Sequence, residues 1–161
     1  MKYIKLSQGS FSNPIRRIKV DDSDFERINH YKWNICSPNK DHLYARAWIS
    51  GKEVLVHRLI MNAPKGSMID HKNMDTLDNR KENLRFCSYS QNAMNCKMNR
   101  DNTSGLRGVC WDKHHNRWVA RIRSENKSHY LGHFLDINDA AVAYNKAAIT
   151  YHGKFAQLNC I

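Results

Sequence analysis

The chain has 161 residues, enough for one ordinary domain or two to three small modules. Its 26 Lys and Arg against 15 Asp and Glu give a formal net charge of +11, which favours a polyanionic partner: nucleic acid first, an acidic membrane surface second. No apolar run approaches the roughly 20 residues of a membrane span, the start has no apolar signal core, and the five cysteines form no C-x-x-C pair. A spanning protein, a secreted disulfide scaffold and a zinc ribbon are disfavoured, and reduced thiols in an intracellular protein are expected.

The expected organisation is α+β in three modules: 1–53, 54–97 and, after a polar linker at 98–103, 104–161. In the first, "KVDDSDFERINHYKW" reads as a short strand followed by a helix starting near Asp22 to Asp24, whose acids suit a helix N-terminus. Phe25, Ile28 and Tyr31 or Lys32 fall at helical spacing. "LYARAWISGKEVLVHRLIM" reads as a hairpin with Gly51 at its turn, and Arg46 and Lys52 are candidate DNA contacts on it.

The middle module carries the chemistry. "MID" before His71 reads as a strand, "LRFC" as a second strand, and "SYSQNAMNC" as a helix opened by a capping box of Ser88 and Gln91. Asp70 and His71 sit on the first of these elements and Asn92 in the first turns of the last. Hydrolysis of a phosphodiester needs a base for water, a cation for the charge on the phosphate and the departing 3′ oxygen, and groups held in line. A histidine suits the first task and carboxylate and amide oxygens suit a hard cation. Neighbours on a regular strand point to opposite faces, so Asp70 and His71 can serve one site only if the strand bends or ends there. The polar run from Lys72 is where such a break falls.

In the last module "LRGVCW", "RWVARIR" and "SHYLGHF" read as three strands, with "HHN" and "SENK" as turns. Alternation puts Arg117, Val119, Arg121 and Arg123 on one face and Trp118, Ala120 and Ile122 on the other. "DINDAAVAYNKAAITYHG" reads as a helix capped by Asp136 or Asn138 and ended by Gly153, with a stripe of Ile137, Ala140, Ala141, Tyr144, Ala148 and Tyr151. Its alanines allow close approach to the apolar sheet face, which leaves the arginine face for water or an anion.

Two resemblances follow from these motifs. The ordered set His57-Arg58-Leu59, Asp70-His71, Asn73, Asp78-Asn79-Arg80, Asn83-Leu84-Arg85 and Asn92 is similar to the HNH family with its ββα-metal fold, in particular to homing endonucleases of phages and introns. The match covers residues 54–97. It implies His71 as general base, Asp70 and Asn92 as ligands of one Mg²⁺ (or Mn²⁺), and Asn83 as a bracing residue of the catalytic loop. His57 either touches DNA or satisfies a core hydrogen bond, with the structural role favoured. Asp75, Asp78, Asn79 and Arg80 are expected to organise the loop, and Arg80 or Arg85 could meet a phosphate.

The second resemblance covers residues 104–159. "RGV", "RWVARI", "YLGHF", "AAVAYNKAAITYHG" and "AQLN" look like the plant ethylene-response-factor type of DNA-binding domain. It implies a three-stranded antiparallel sheet packed on one helix and inserted into the major groove. By position, Arg107, Arg123 and Tyr130 would contact DNA, with Arg121 and Arg117 adding charge and Trp111 either core or contact. Cys110 and Ser128 stand where arginines are common in that family, so its GC-rich preference does not carry over.

Together these imply a homing-type, metal-dependent endonuclease acting on double-stranded DNA. It would be phage-encoded and active inside the host cell, without a membrane partner and with a monomer favoured. The alternative is a non-catalytic DNA-binding regulator that keeps the HNH fold as a scaffold.

Overall fold

Short alternating strands dominate the computed structural model, which describes residues 1–7, 16–39 and 42–161. The fold is α+β, with several small antiparallel sheets and few helices, and contacts divide it into two units, Met1–Cys87 and Ser88–Ile161.

In the first unit Lys2–Lys5 (β1) pairs antiparallel with Arg17–Val20 (β2), and alternation buries Ile4, Ile18 and Val20. The helix Asp22–Asn29 (α1) follows, with Asp22 and Asp24 in its first turn as expected. Trp33 is buried and its indole N–H donates to the Ile28 carbonyl at 2.8 Å. Asn34–Asn39 (β3), His42–Ile49 (β4) and Lys52–Leu55 (β5) form a sheet in that order. Ser50 and Gly51 both have positive φ, 49° and 74°, which matches the twist of a tight hairpin. The second arm stops at Leu55, and "VHRLI" forms the helix Val56–Ile60 (α2) instead of more strand. Met68–His71 (β6) and Leu84–Cys87 (β7) form a further antiparallel pair.

One core joins these pieces. Ile4, Ile18, Ile28, Trp33, Val56 and Leu84 belong to a single buried cluster, so β7 shares a core with the segments expected as a separate N-terminal module. The unit boundary falls at Cys87 and Ser88, inside the segment 54–97.

The second unit opens with the helix Tyr89–Met94 (α3). The capping box is present: Gln91 N donates to Ser88 Oγ at 3.2 Å and Ser88 N to Gln91 Oε1 at 2.9 Å. Val109–Asp112 (β8), Arg117–Ser124 (β9) and Lys127–Phe134 (β10) form an antiparallel sheet with β9 in the centre. The helix Ile137–His152 (α4) packs across it, with Asp136 accepting from Asn138 N at 2.6 Å. Ala140, Ala141, Ala147 and Ala148 are buried against the sheet. Gly108, at φ 65°, allows the closest approach. A Cβ there would lie 2.3 Å from both the Arg121 carbonyl oxygen and the Tyr144 ring. Tyr151 departs from the expected buried stripe: it is 43% exposed and stacks on His129 at 4.5 Å between ring centroids.

The β9–β10 register shifts between Tyr130 and Gly132. This bulge lets Tyr130, opposite Arg121, and His133, opposite Val119, share the face away from α4.

Candidate active site and nucleic-acid interface

Asp70 and His71 end β6, opposite Arg85 and Leu84 of β7. The strand stops at His71. Met74 N donates back to the His71 carbonyl at 2.9 Å, and Met74 takes φ 60°, so the chain turns where the polar run begins. Both side chains are buried, Asp70 at 6% and His71 at 5% exposure.

The loop between the strands is tied down by its own polar side chains. Asp78 is its hub: Arg80 donates to it from Nε at 2.8 Å and Nη2 at 2.7 Å, and Asn73 Nδ2 donates at 3.2 Å. Arg80 beside it holds the Asp78 carboxyl below its ordinary range. Asn83 Nδ2 donates to the Asp78 carbonyl at 2.7 Å and Asn83 Oδ1 accepts from Asn73 N at 3.0 Å, a bracing position. Lys19 N donates to the Leu77 carbonyl and Asn79 N to the Lys19 carbonyl, both at 2.8 Å, so the loop pairs with β2.

That frame points one amide at the histidine. Asn79 is fully buried and its Oδ1 lies 3.1 Å from His71 Nε2. The Asn79 amide is oriented by its Nδ2, which donates to the Thr76 carbonyl at 3.5 Å. With Oδ1 as acceptor, the His71 proton sits on Nε2, and Nδ1 carries the lone pair able to take a proton. Burial pushes the His71 pKa down, against the opposing pull of Asn79 and Asp70, so the ring is neutral near pH 7.

His57 forms the other wall. It is buried, its ring stands edge-on to His71 at 5.3 Å and lies 5.5 Å from Tyr44, and burial pushes its pKa down to about 3. Its Nδ1 is buried with no hydrogen-bond partner among the described residues, so no core hydrogen bond through that atom is seen there. Neither arginine offered for phosphate stands loose: Arg80 is spent on Asp78, and it also pairs with Glu82. Arg85 donates to Asp70 Oδ2 from Nε at 2.8 Å and lies 2.7 Å from it through Nη2. Arg46 pairs with Glu53 at 2.8 Å, while Lys52 is exposed.

Asn92 lies on α3 in the second unit and is exposed. In that unit Arg117, Arg121, Arg123 and Tyr130 are exposed and share the sheet face away from α4. Arg107 is half-buried. It lines a cavity of about 540 Å³ together with Arg121, Arg123, Ser90 and Cys96. Val119 lies on the arginine face yet is buried. Trp111 takes the opposite face: it pairs with Trp118 as Val109 pairs with Ala120, and its ring meets Trp118 edge-on at 5.0 Å. The register thus separates it from the arginines.

Residues 54–94 match the HNH endonuclease family. Protein 3.8 of Escherichia phage T7 is 32% identical to this chain over 94 residues, which cover 58% of this chain and 77% of the phage protein. The chain belongs to the phage protein 3.8 family and carries an HNH endonuclease domain. The HNH segment contains Asp70, His71, Asn79, Asn83 and Asn92. Its nature implies a nucleic-acid partner, and no helix among the described residues is long and apolar enough to cross a membrane. No solved structure matches the chain. The comparisons lend no support to the plant ethylene-response-factor resemblance of residues 104–159, for which the sheet-on-helix architecture stands alone.

Proposed function

We propose that this HNH protein is a metal-dependent DNA endonuclease of the homing type, hydrolysing a phosphodiester of double-stranded DNA. The observation that carries the reading is His71: buried, neutral and held by Asn79 with its proton on Nε2. In this reading His71 Nδ1 removes the proton from the attacking water. Asn79 keeps the ring in the required tautomer, and Asn83 keeps the loop that carries Asn79 in shape.

Asp70 and Asn92 would hold one Mg²⁺ or Mn²⁺. The donor set fits, since a carboxylate and an amide oxygen suit a hard cation, and Asp70 already carries a cationic partner in Arg85. Such a cation supplies charge stabilisation at the scissile phosphate and the leaving oxygen. The C-terminal sheet would grip the duplex through Arg117, Arg121, Arg123 and Tyr130, with Arg107 beside them, because exposed guanidiniums on one face fit a phosphate backbone.

A second reading, a DNA-binding regulator without catalysis, draws on the same Arg85, whose guanidinium occupies Asp70. Supercoiled plasmid treated with wild type and with His71→Ala, in Mg²⁺ and in EDTA, separates the two. The nuclease reading expects nicked or linear product that disappears in the variant and with chelator. Plasmid carrying a verified binding site that stays supercoiled with wild type and Mg²⁺ would establish the regulator.

A further inference from the structure

Three groups that the nuclease reading does not use meet beside the turn between β8 and β9. Asp112 ends β8, His115 lies in the turn, and His133 reaches them from β10 across the bulge. One ligand atom from each lies within 4.8 Å of the others. Asp112 Oδ2 is 2.9 Å from His115 Nδ1 and 3.3 Å from His133 Nε2. Four ligands at zinc's ordinary bond lengths stand roughly 3.3 Å apart, so these spacings already approach a metal's coordination sphere.

The groups are also fixed from outside. Asp112 Oδ1 accepts from the backbone N–H of His114 at 2.9 Å and of His115 at 3.3 Å, which orients the carboxylate and turns Oδ2 to the imidazoles. The Tyr130 hydroxyl lies 2.6 Å from His133 Nδ1. An outer partner on the second ring nitrogen is what sets the tautomer of a metal-bound histidine: with a metal on Nε2, Nδ1–H would donate to the Tyr130 hydroxyl, and without one the hydroxyl donates to Nδ1 while Nε2–H donates to Asp112, so the same atoms serve both states. Arg117 is the cross-strand neighbour of Asp112 and makes no ion pair with it among the described residues. A carboxylate on an arginine-bearing face is thus partnered by two imidazoles.

We propose that Asp112, His115 and His133 form a binding site for a divalent transition metal, with Zn²⁺ the favoured occupant and Tyr130 as the outer partner of His133. Two imidazoles and one carboxylate select Zn²⁺, Co²⁺ or Ni²⁺ over Mg²⁺, so this site differs in chemistry from the all-oxygen nuclease site. Three protein ligands leave a fourth position for water or an oxygen of a bound phosphate. Located on the face that carries Arg117 and Arg121, the metal would convert the Asp112 carboxylate from a repulsive element into a cationic one.

The test is a Zn²⁺ and Co²⁺ titration of the full chain in excess Mg²⁺, with histidine ring resonances followed by NMR. Wild type should show visible absorption of four-coordinate Co²⁺, and Zn²⁺ should shift the His115 and His133 resonances. His133→Gln should weaken Zn²⁺ binding about 100-fold, and Tyr130→Phe, which keeps every ligand, about 10-fold. A fold check by circular dichroism on each variant keeps misfolding apart from ligand loss. If a folded His115→Gln/His133→Gln double variant binds as much Zn²⁺ as tightly as wild type, or if Zn²⁺ leaves both resonances in place, the three groups are only a hydrogen-bonded turn.

Discussion

Asn79 Oδ1 accepts a hydrogen bond from His71 Nε2 at 3.1 Å, and both side chains are buried. In the proposed mechanism that amide would decide which ring nitrogen acts as base. Asn79→Leu should lower the cleavage rate about 10- to 100-fold, a share of what a positioned general base contributes, while DNA affinity stays unchanged. Asn79→Asp restores an acceptor but adds a carboxylate that favours the imidazolium. Its activity should return in part, with the acid limb of the pH–rate profile moved to higher pH. An Asn79→Leu enzyme as fast as wild type under single-turnover conditions would remove Asn79 from the mechanism.

The buried histidines make a pH prediction in two readouts. Burial lowers the pKa of both His57 and His71, so each binds a proton less readily in the folded chain than in the unfolded one. That contribution to stability is present above the unfolded value near 6.5 and is lost as pH falls towards the folded value, about 3 for His57. Stability should fall below about pH 6.5, by up to about 1.4 kcal/mol per pH unit from His57 and in the same direction from His71, and thermal unfolding reads it as a falling Tm. His57→Phe should flatten that slope. Cleavage should hold to lower pH than an unperturbed histidine would allow, and an activity midpoint above 6.5 would contradict a neutral, buried base.

Arg85 is ion-paired with Asp70, where the proposed function would put a divalent cation. Replacing Arg85 withdraws from the buried Asp70 carboxylate a guanidinium that reaches its Oδ2 through both Nε and Nη2, a loss that costs stability. Arg85→Leu should therefore lose stability in EDTA, by an amount that denaturant unfolding can read. Mg²⁺ should restore more stability to the variant than it adds to wild type, since the cation would take over the role of the guanidinium. Equal Mg²⁺ responses in the two proteins would argue that Asp70 does not hold the cation.

The sheet face predicts a salt effect. On the proposed function Arg121→Ala and Arg123→Ala would each remove one phosphate contact, so each should weaken duplex binding and lower the slope of log K against log salt by about 1. Trp111→Ala lies on the other face and should leave that slope alone. Fluorescence anisotropy across a salt series measures all of them, and unaltered slopes in both arginine variants would take the sheet out of the DNA interface.

Local signals were legible where the pattern and its physical cause are both short-range. The Ser88–Gln91 capping box, the Ser50–Gly51 turn and the alternation along β9 all occur where the residues place them. Less legible were features decided by long-range packing. β3 contains "CSP" and has no alternation to announce it, and the core that joins Leu84 to Ile4 and Ile18 leaves no local trace. In the loop, Asn73, Asn79 and Asn83 are chemically alike. Only the folded turns decide that Asn79 meets the histidine while the other two hold the frame. Two relationships could have been found sooner. Pairing "MID" with "LRFC" already sets Asp70 opposite Arg85, and alternation from Val109 already sends Trp111 away from the arginines.

The bulge at Tyr130 and Gly132 constrains how this sheet can vary in length. Leu131 is the extra residue, standing between Tyr130 opposite Arg121 and Gly132 opposite Ala120. Deleting it would close the ladder and leave His133 opposite Val119 and Phe134 opposite Trp118, each on its present side. Straightening the strand with Leu131 kept would instead swap every side chain beyond it, sending His133 towards α4 and Phe134 into solvent. A single-codon deletion at Leu131 should therefore cost one partly buried side chain and spare both faces, whereas a second deletion would have no bulge left to absorb it.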